Sequence, residues 1–476
     1  MKGSLMVATN GQTMDEPACF SQELAEGLVD ASPSPAMVRG ACPSLSEPMQ
    51  TGDGLLVRLR PVTPGLTVAQ FRALAAAAEK HGNGLIEITA RGNLQLRGMI
   101  LQSMEALAAD IERAGIVVQN GVAIEIPPLS GLDPLEMASA RSLAERLQET
   151  IDDLAPKPIL AAKLAIIIDG GGQLALDGLS ADIRLKATKP DDGAGCLWTL
   201  AIAGTDATAT PLATLPRDEA IAGVVALLKR LSLLGPRARG RDLDPADLRG
   251  QFPDVTAHAQ TTARPPTSPI GIISLGRNGR ALGLRPSFGQ IHAKDLARFL
   301  AVAEENGVSE IRTGPEHSML LLGLAADELE RVRTVAASCG FQTRSDDPAN
   351  HIIPCSGAGA CASAHYATKQ AALDCVALAP ELLDGSFELH LSGCPKGCAH
   401  PAPTALAVVG IPTGHGIVLD GSASAEPTVH IGKENLKSVL ARLGELVRNN
   451  KVAGESTHQC LKRLGRDAIA TALRQG

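Results

Sequence analysis

Aromatic residues are nearly missing from this chain, with one Trp, one Tyr and seven Phe in 476 residues. Proteins that hold single-stranded nucleic acid stack its bases on aromatic side chains, so the composition argues against that class. Positive charge is not in excess either. Lys and Arg number 44 against 51 Asp and Glu, a formal net charge of −7, which opposes binding to a phosphate backbone. A local basic pocket for a small anion remains compatible with that balance. No apolar run approaches the roughly 20 residues of a membrane-spanning helix. The N-terminus, MKGSLMVATNGQTMDEP, has no basic patch leading into an apolar core, so no secretory signal is expected. Nucleotide-binding loops are absent as well. DGGG at 169–172 follows a predicted strand but lacks G-x-G-x-x-G spacing and opens no helix, and we read it as a hairpin turn. There is no P-loop. Electrons from a nicotinamide would therefore arrive through a separate reductase.

What is present is enough apolar material, 45% of residues, for sizeable cores in roughly two to four domains. Ten cysteines, four of them in a metal-binding pattern, fit a reducing, cytoplasmic setting rather than a disulfide framework. Those four are Cys355, Cys361, Cys394 and Cys398, in the strings PCSGAGAC and SGCPKGCAHP. A cubane iron–sulfur cluster takes one thiolate at each iron corner, and two close pairs brought together by the fold supply that. Ser356 to Ala360 are all Gly, Ala or Ser, so the backbone can wrap closely and turn N–H groups toward sulfide. Pro395 stiffens the second loop, and Gly397 lets it turn tightly. Zinc and four unrelated buried thiols are the alternatives; zinc spacing suits the second pair but not the first. Cys19, Cys42, Cys196, Cys339, Cys375 and Cys460 are read as small hydrophobes.

An internal repeat organises the chain. Residues 61–98 and 286–323 align without a gap at the offset that carries Pro61 to Pro286. Glu79 then matches Glu304, Gly82 matches Gly307, and Gly98 matches Gly323. The apolar pairs follow: Leu66 with Ile291, Phe71 with Leu296, Ile86 with Ile311, Leu94 with Met319. An ungapped register over a whole strand–helix–strand–strand unit points to duplication. GLLVRLRP, GLIEITA and NLQLRGM alternate like strands, and TVAQFRALAAAAEKHG has helical apolar spacing that stops at Gly82. Two such units can pair about a pseudo-twofold axis and enclose a site. Arg60, Arg91 and Arg97 give the first copy a basic character, where the second has Glu316 opposite Arg91. Each repeat is followed by a longer α/β stretch. Helices are expected at 133–154, 217–235, 433–449 and 465–475, and strands at 163–172, 181–187, 404–410 and 416–421. The expected organisation is an N-terminal extension (1–50), repeat 1 (51–119), a first α/β segment (120–260), repeat 2 (270–345) and a cysteine-bearing α/β segment (346–476). TTARPPTSP (261–269) is the linker between the halves.

The repeat, the stretch TARGNLQLRG (89–98) and C-x5-C followed by SGC-x3-C resemble the nitrite/sulfite reductase superfamily over about residues 50–476. That resemblance implies an α+β fold. Two ferredoxin-like repeats would pair about a pseudo-twofold axis, with two α/β segments around a tetrapyrrole and [4Fe–4S] site. It implies that Cys355, Cys361, Cys394 and Cys398 ligate the cluster and that Arg91 faces the tetrapyrrole. Two basic positions of the reductases are missing: Gly121 stands in VQNGVAIEI where they carry an arginine, and Ala165 follows Lys163 where they carry a second lysine. Reduction of a small oxyanion needs positive charge beside the metal, so the departures argue against that reaction. RGACPSLSEPMQTGDGLLVRLRP (39–61) and SGCPKGCAHP (392–401) are closer to the precorrin-3B synthases of aerobic cobalamin biosynthesis. This narrower resemblance implies an O₂- and NADH-dependent monooxygenase that hydroxylates C20 of precorrin-3A and closes a lactone. It also implies an iron–sulfur cluster and a mononuclear non-haem iron, for which His351, His365 and His400 are the candidates nearest the cysteines. Arg60, Arg91, Arg97 and Lys163 would meet carboxylate arms of the macrocycle. Two activities stay beside it: a sirohaem-dependent sulfite or nitrite reductase, and an electron carrier without enzymatic activity.

Overall fold

The computed structural model describes residues 43–474 except 63, 190–194, 251 and 253–266. Cys19, Cys42, the N-terminal arm as far as residue 42, and positions 261–266 of the expected linker lie outside the described residues.

The first repeat contains β1 (Met49–Thr51), β2 (Gly54–Leu59), α1 (Val68–His81), β3 (Leu85–Ile88), β4 (Leu94–Met99) and α2 (Met104–Arg113). Thr67 caps α1: its hydroxyl accepts from the Gln70 amide, and the Gln70 side chain returns to the Thr67 N–H. The first α/β segment follows with β5 (Ala123–Glu125), α3 (Ala140–Asp152), β6 (Ala165–Asp169), β7 (Ala181–Thr188), β8 (Leu197–Gly204), β9 (Thr210–Leu215), α4 (Arg217–Leu234) and α5 (Pro245–Arg249). Repeat 2 has β10 (Gly271–Ser274), β11 (Arg280–Pro286), β12 (Gln290–His292), α6 (Ala293–Glu305), β13 (Glu310–Gly314), β14 (Ser318–Leu322), α7 (Leu329–Ser338) and β15 (Phe341–Gln342). The cysteine segment has β16 (Ile352–Pro354), α8 (Thr368–Leu378), β17 (Leu389–Ser392), β18 (Thr404–Ile411), β19 (Gly414–Gly421), β20 (Val429–Gly432), α9 (Leu436–Asn450) and α10 (Thr457–Arg474).

Each repeat carries one helix more than the apolar alternation suggests. In α2 only Leu107 and Ile111 are buried, too thin a stripe to stand out in the sequence. After that helix the chain returns to the second strand of its own repeat, as a Pro61–Val118 bridge just past the end of β2 in one copy and as β15 on β11 in the other. Both copies are thus ferredoxin-like. They exchange contacts reciprocally: Leu66 bridges Ile311, and Ile291 pairs with Ile86. Leu66 matches Ile291 in the repeat, and Ile86 matches Ile311, so the two contacts are one contact seen twice, as a pseudo-twofold axis requires. A single apolar core, including Phe71, Leu74, Phe299 and Phe341, runs through both copies.

The two α/β segments also share one topology. Their sheets run β5-β6-β7-β8-β9 and β16-β17-β18-β19-β20, each with two parallel pairings followed by two antiparallel ones. Duplication therefore extends beyond the ferredoxin-like units.

Three local expectations are corrected. The helix expected from 133 begins only at Ala140, because the Glu136 carboxylate accepts the Gly131 and Ala140 amides and Ser139 caps the Ser142 amide. DGGG is not a hairpin, since β6 and β7 are parallel. It opens a crossover held by the buried Asp169 carboxylate, which accepts the Gly171 and Leu176 amides. The last helix starts at Thr457, ahead of the expected 465, and is broken at Gly465, whose φ is 79°. Among the described residues no helix is long and apolar enough to cross a membrane.

Candidate functional site

The cysteine loops leave the C-terminal ends of two adjacent parallel strands. β16 ends at Pro354, opposite Leu391 of β17, and Cys355 and Gly393 follow directly. Crevices at the carboxyl ends of parallel strands are where α/β sheets bind ligands. The two loops interlock through main-chain bonds: the Cys355 amide donates to Leu391 O at 3.0 Å, and the His365 amide to Gly393 O at 2.8 Å. The Gly393 amide donates to Cys355 Sγ at 3.1 Å. A Cβ on Gly393 would sit 2.6 Å from Ala364 Cβ, so only glycine permits this approach. The Thr368 hydroxyl donates to Cys355 O at 2.7 Å and fixes the far end of the first loop.

All four thiols are free; Cys355, Cys361 and Cys394 are half-buried and Cys398 is exposed. Among the described residues no three His, Cys, Asp or Glu side chains converge as ligands of a single ion. Among the described residues these side chains therefore form no closed zinc site, and His351, His365 and His400 do not come together as one ligand set. A cubane asks for a wider cage, with one thiolate for each of four irons. His365 is exposed, His351 lies 3.9 Å from Glu388, and the His400 ring packs 5.6 Å from buried His390. Of the other described cysteines, Cys339, Cys375 and Cys460 are buried and Cys196 half-buried; burial pushes the Cys375 thiol up to about 12.

The predicted basic residues divide between two places. Arg60 and Arg91 line a cleft between the paired repeats and the first α/β segment, together with Asn93, Gln119, Glu125 and Thr313. Arg91 grips Glu125 with Nε and Nη2, at 2.8 and 2.6 Å, and reaches Ser180 O at 3.0 Å. Arg60 donates to Gly121 O at 3.0 Å. Gly121 has φ +83°, a left-handed conformation that an arginine would adopt only under strain. Lys163 sits in an exposed turn ahead of β6 and is not part of this cleft. Arg97 points elsewhere and is only 3% exposed. Its guanidinium holds both Asp53 oxygens at 3.0 and 3.1 Å, Glu87 at 3.1 Å and Ala360 O at 2.9 Å. The carboxylate partners expected for it in a ligand are thus supplied by the protein.

Arg97 belongs to a polar row that the sequence reading missed. Register places Arg58 opposite Gln95, Gln95 opposite Glu87, and Glu87 opposite Gln290, across β2, β4, β3 and β12. With the Gln95 amide turned to fit, it accepts from Arg58 at 2.8 and 3.0 Å and donates to Glu87 at 3.2 Å. The opposite face of the same strands carries Leu59, Leu94, Leu96, Ile86 and Ile88, all buried. The polar alternation in RLR and QLR was the available signal, because a strand with both faces covered has little reason to keep charge. Two further groups close on this row from distant segments. Lys369, at the start of α8, has a buried Nζ with no hydrogen-bond partner; burial lowers it to about 8 despite Glu87 nearby. His317 has Nδ1 2.6 Å from Ile88 O, and burial lowers its pKa.

Comparison with known proteins adds the following. Residues 47–114 match the nitrite/sulfite reductase ferredoxin-like half domain. A precorrin-3B synthase from Sinorhizobium sp is 45% identical over 447 residues, spanning 94% of this chain and 97% of that protein. A ferredoxin–nitrite reductase from Synechococcus elongatus is 25% identical over 399 residues, 74% of this chain and 77% of its own length. Among solved structures, the Mycobacterium tuberculosis NirA protein superposes with a TM-score of 0.69 at 18% identity, covering 87% of this chain and 84% of NirA. The fold is that of the nitrite/sulfite reductases.

Proposed function

The chain belongs to the precorrin-3B synthase family and is an enzyme, and from that premise we propose that it is an oxidoreductase hydroxylating C20 of precorrin-3A, with closure of a lactone by the ring A acetate. The near full-length 45% identity to a precorrin-3B synthase carries this proposal. One atom of O₂ enters the macrocycle; the other leaves as water, with two electrons from NADH delivered through an external reductase. The reaction belongs to aerobic cobalamin biosynthesis and suits a cytoplasmic protein.

Cys355, Cys361, Cys394 and Cys398 are the residues that would hold a [4Fe–4S] cluster. Their fit rests on the two interlocked loops, their small residues, and the Gly393 amide already directed at Cys355 Sγ. When bound, the cluster supplies electrons for O₂ activation. The protein's own contribution is to place a macrocycle against these loops and to neutralise its carboxylates. Arg60 and Arg91 can do so at the cleft they share, where Arg91 would exchange its Glu125 pairing for a substrate carboxylate. Lys163, on its exposed turn, is the candidate for an outer arm. Gly121 and Ala165 leave out two charges that a small oxyanion would need. A mononuclear non-haem iron is kept as part of the family proposal with no ligands assigned.

Anaerobically reconstituted protein, incubated with precorrin-3A, a competent donor and ¹⁸O₂, is expected to give a product carrying one ¹⁸O by mass spectrometry. An intact cluster with no incorporation would overturn the proposal. A sirohaem-dependent nitrite or sulfite reductase is the second candidate activity, favoured by the fold and the 25% identity to a nitrite reductase. Purified protein with a sirohaem absorption band and sulfite or nitrite turnover would put it first.

A further inference from the structure

On the four-cysteine cluster reading above, and independently of the substrate, we propose that Thr368 and Ser392 are positioning residues with different duties. Thr368 orients a peptide N–H that raises the reduction potential of the cluster, whereas Ser392 only holds its loop.

The two side chains make the same kind of bond. The Thr368 hydroxyl donates to Cys355 O and the Ser392 hydroxyl to Cys394 O, each at 2.7 Å. Both residues are buried, and both stand on regular elements, Thr368 as the first residue of α8 and Ser392 as the last of β17. A hydroxyl has one proton to give, so each is spent on the carbonyl of a cysteine. What differs is the peptide to which that carbonyl belongs. Among the described residues the cis peptide is Ala155–Pro156. Both cysteine peptides are therefore trans, and a trans peptide carries its N–H opposite its C=O. Fixing Cys355 O on Thr368 thus turns the Ser356 N–H away from α8. Among the described residues that N–H donates to no main-chain carbonyl, and neither does the N–H of Gly357. Fixing Cys394 O on Ser392 orients a peptide whose nitrogen is Pro395, which has no proton.

The first loop is shaped to make the Thr368 bond. Gly357 has φ +73°, and a Cβ there would sit 2.6 Å from Thr368 Oγ1, so glycine lets the loop close on the hydroxyl. The Gly393 amide already donates to Cys355 Sγ at 3.1 Å. Hydrogen bonds to the sulfurs help set a cluster's potential, because N–H donors favour the added negative charge of the reduced state. The duplicated half offers a comparison. The Met137 amide donates to Gly170 O at 2.7 Å, just as the His365 amide donates to Gly393 O at 2.8 Å. Counting from these equivalent bonds sets Ala140, the first residue of α3, opposite Thr368, and Asp169 opposite Ser392. The pair of hydroxyls is thus found in the half that carries the thiols.

A redox titration of the full-length, iron- and sulfide-reconstituted protein, followed by electron paramagnetic resonance, tests the division of roles. Thr368→Val is expected to lower the equilibrium constant for one-electron reduction roughly tenfold, the size of one hydrogen bond to a charged group, which places the potential about 59 mV lower. Thr368→Ala gives the same fall, and Thr368→Ser restores the wild-type value. Ser392→Ala keeps the wild-type potential but yields its iron to a chelator several-fold faster. Iron and sulfide contents of all the variants start at the wild-type level. An unchanged potential in Thr368→Val and Thr368→Ala, or an equal fall in Ser392→Ala, overturns the assignment. So does loss of iron from both Thr368 variants, since the hydroxyl would then hold the cluster rather than tune it. A wild type that takes up no four-iron cluster overturns the cluster reading itself, and iron analysis shows this before any titration.

Discussion

Every nitrogen of the Arg97 guanidinium is engaged, with Asp53, Glu87 and the Ala360 carbonyl, so this side chain joins the first repeat's sheet to the cysteine loop. Arg97→Met would leave two largely buried carboxylates, Asp53 and Glu87, without their ion-pair partner, at a cost of about 3–5 kcal/mol. Urea denaturation measures that loss, and iron content reports whether the loop is also displaced. The same pair gives a pH signature. Burial pushes Asp53 up, but the Arg97 and Thr51 hydrogen bonds outweigh it, and the carboxyl titrates below its ordinary 3.8. A carboxylate depressed by folding stabilises above its unfolded value and loses that contribution as pH falls through the folded one. The acid limb of stability below about pH 4 should therefore be shallower in Arg97→Met than in wild type. At the thiols, Cys398→Ser is expected to lose or degrade the cluster and abolish turnover. Iron and sulfide analysis together with electron paramagnetic resonance checks this, and full activity would remove Cys398 from the ligand set.

Two turns show how one element meets another. Gly92 and Gly121 both have positive φ, 79° and 83°, but their surroundings differ. A Cβ at 121 meets nothing within 4 Å, whereas one at 92 would lie 2.9 Å from the Gly314 carbonyl oxygen and 3.0 Å from its carbon. The β3–β4 turn is thus packed against its counterpart across the pseudo-twofold axis. Gly121→Ala should cost only the left-handed strain, about 1–2 kcal/mol. Gly92→Ala should cost more, because neither backbone can yield without parting the repeats. Thermal unfolding of the two variants side by side measures the order. The sequence announces most of these elements through alternation and helical spacing. It misses α2 and α7, whose buried stripes are thin, and misjudges DGGG, since a glycine run bends equally well into a hairpin or a parallel crossover.

The molecule as a whole is a duplication in which the halves have diverged in chemistry. The loops after β16 and β17 carry the four cysteines; in the other half the loop after β5 carries Asp133 and Glu136, and β6 ends on Asp169. The two repeats nevertheless share one apolar core. Phe299, wholly buried in that core, packs against Phe341 at 4.8 Å. Phe299→Ala is expected to cost about 3–5 kcal/mol and to lower hydrogen-exchange protection of β4 in the first repeat as well as β14 in the second. Loss confined to β14 would show that the repeats open independently.

The strand faces and the cysteine pairs were written locally, in a period of two and fixed spacings, and the duplication in an ungapped match of two distant stretches; all three are patterns of residue type along the chain. The partners of each charge are not. Arg91 and Arg97 lie six positions apart in one repeat, yet one closes on Glu125 and the other on Asp53 and Glu87. Alternation says which face of a strand a side chain occupies, but not what will cover that face. The cover over Arg97 comes from Ala360, 263 residues away, and Lys369 arrives from the same distant segment. Whether a buried charge is neutralised or left to meet a ligand depends on that cover, which exists only once the chain has folded.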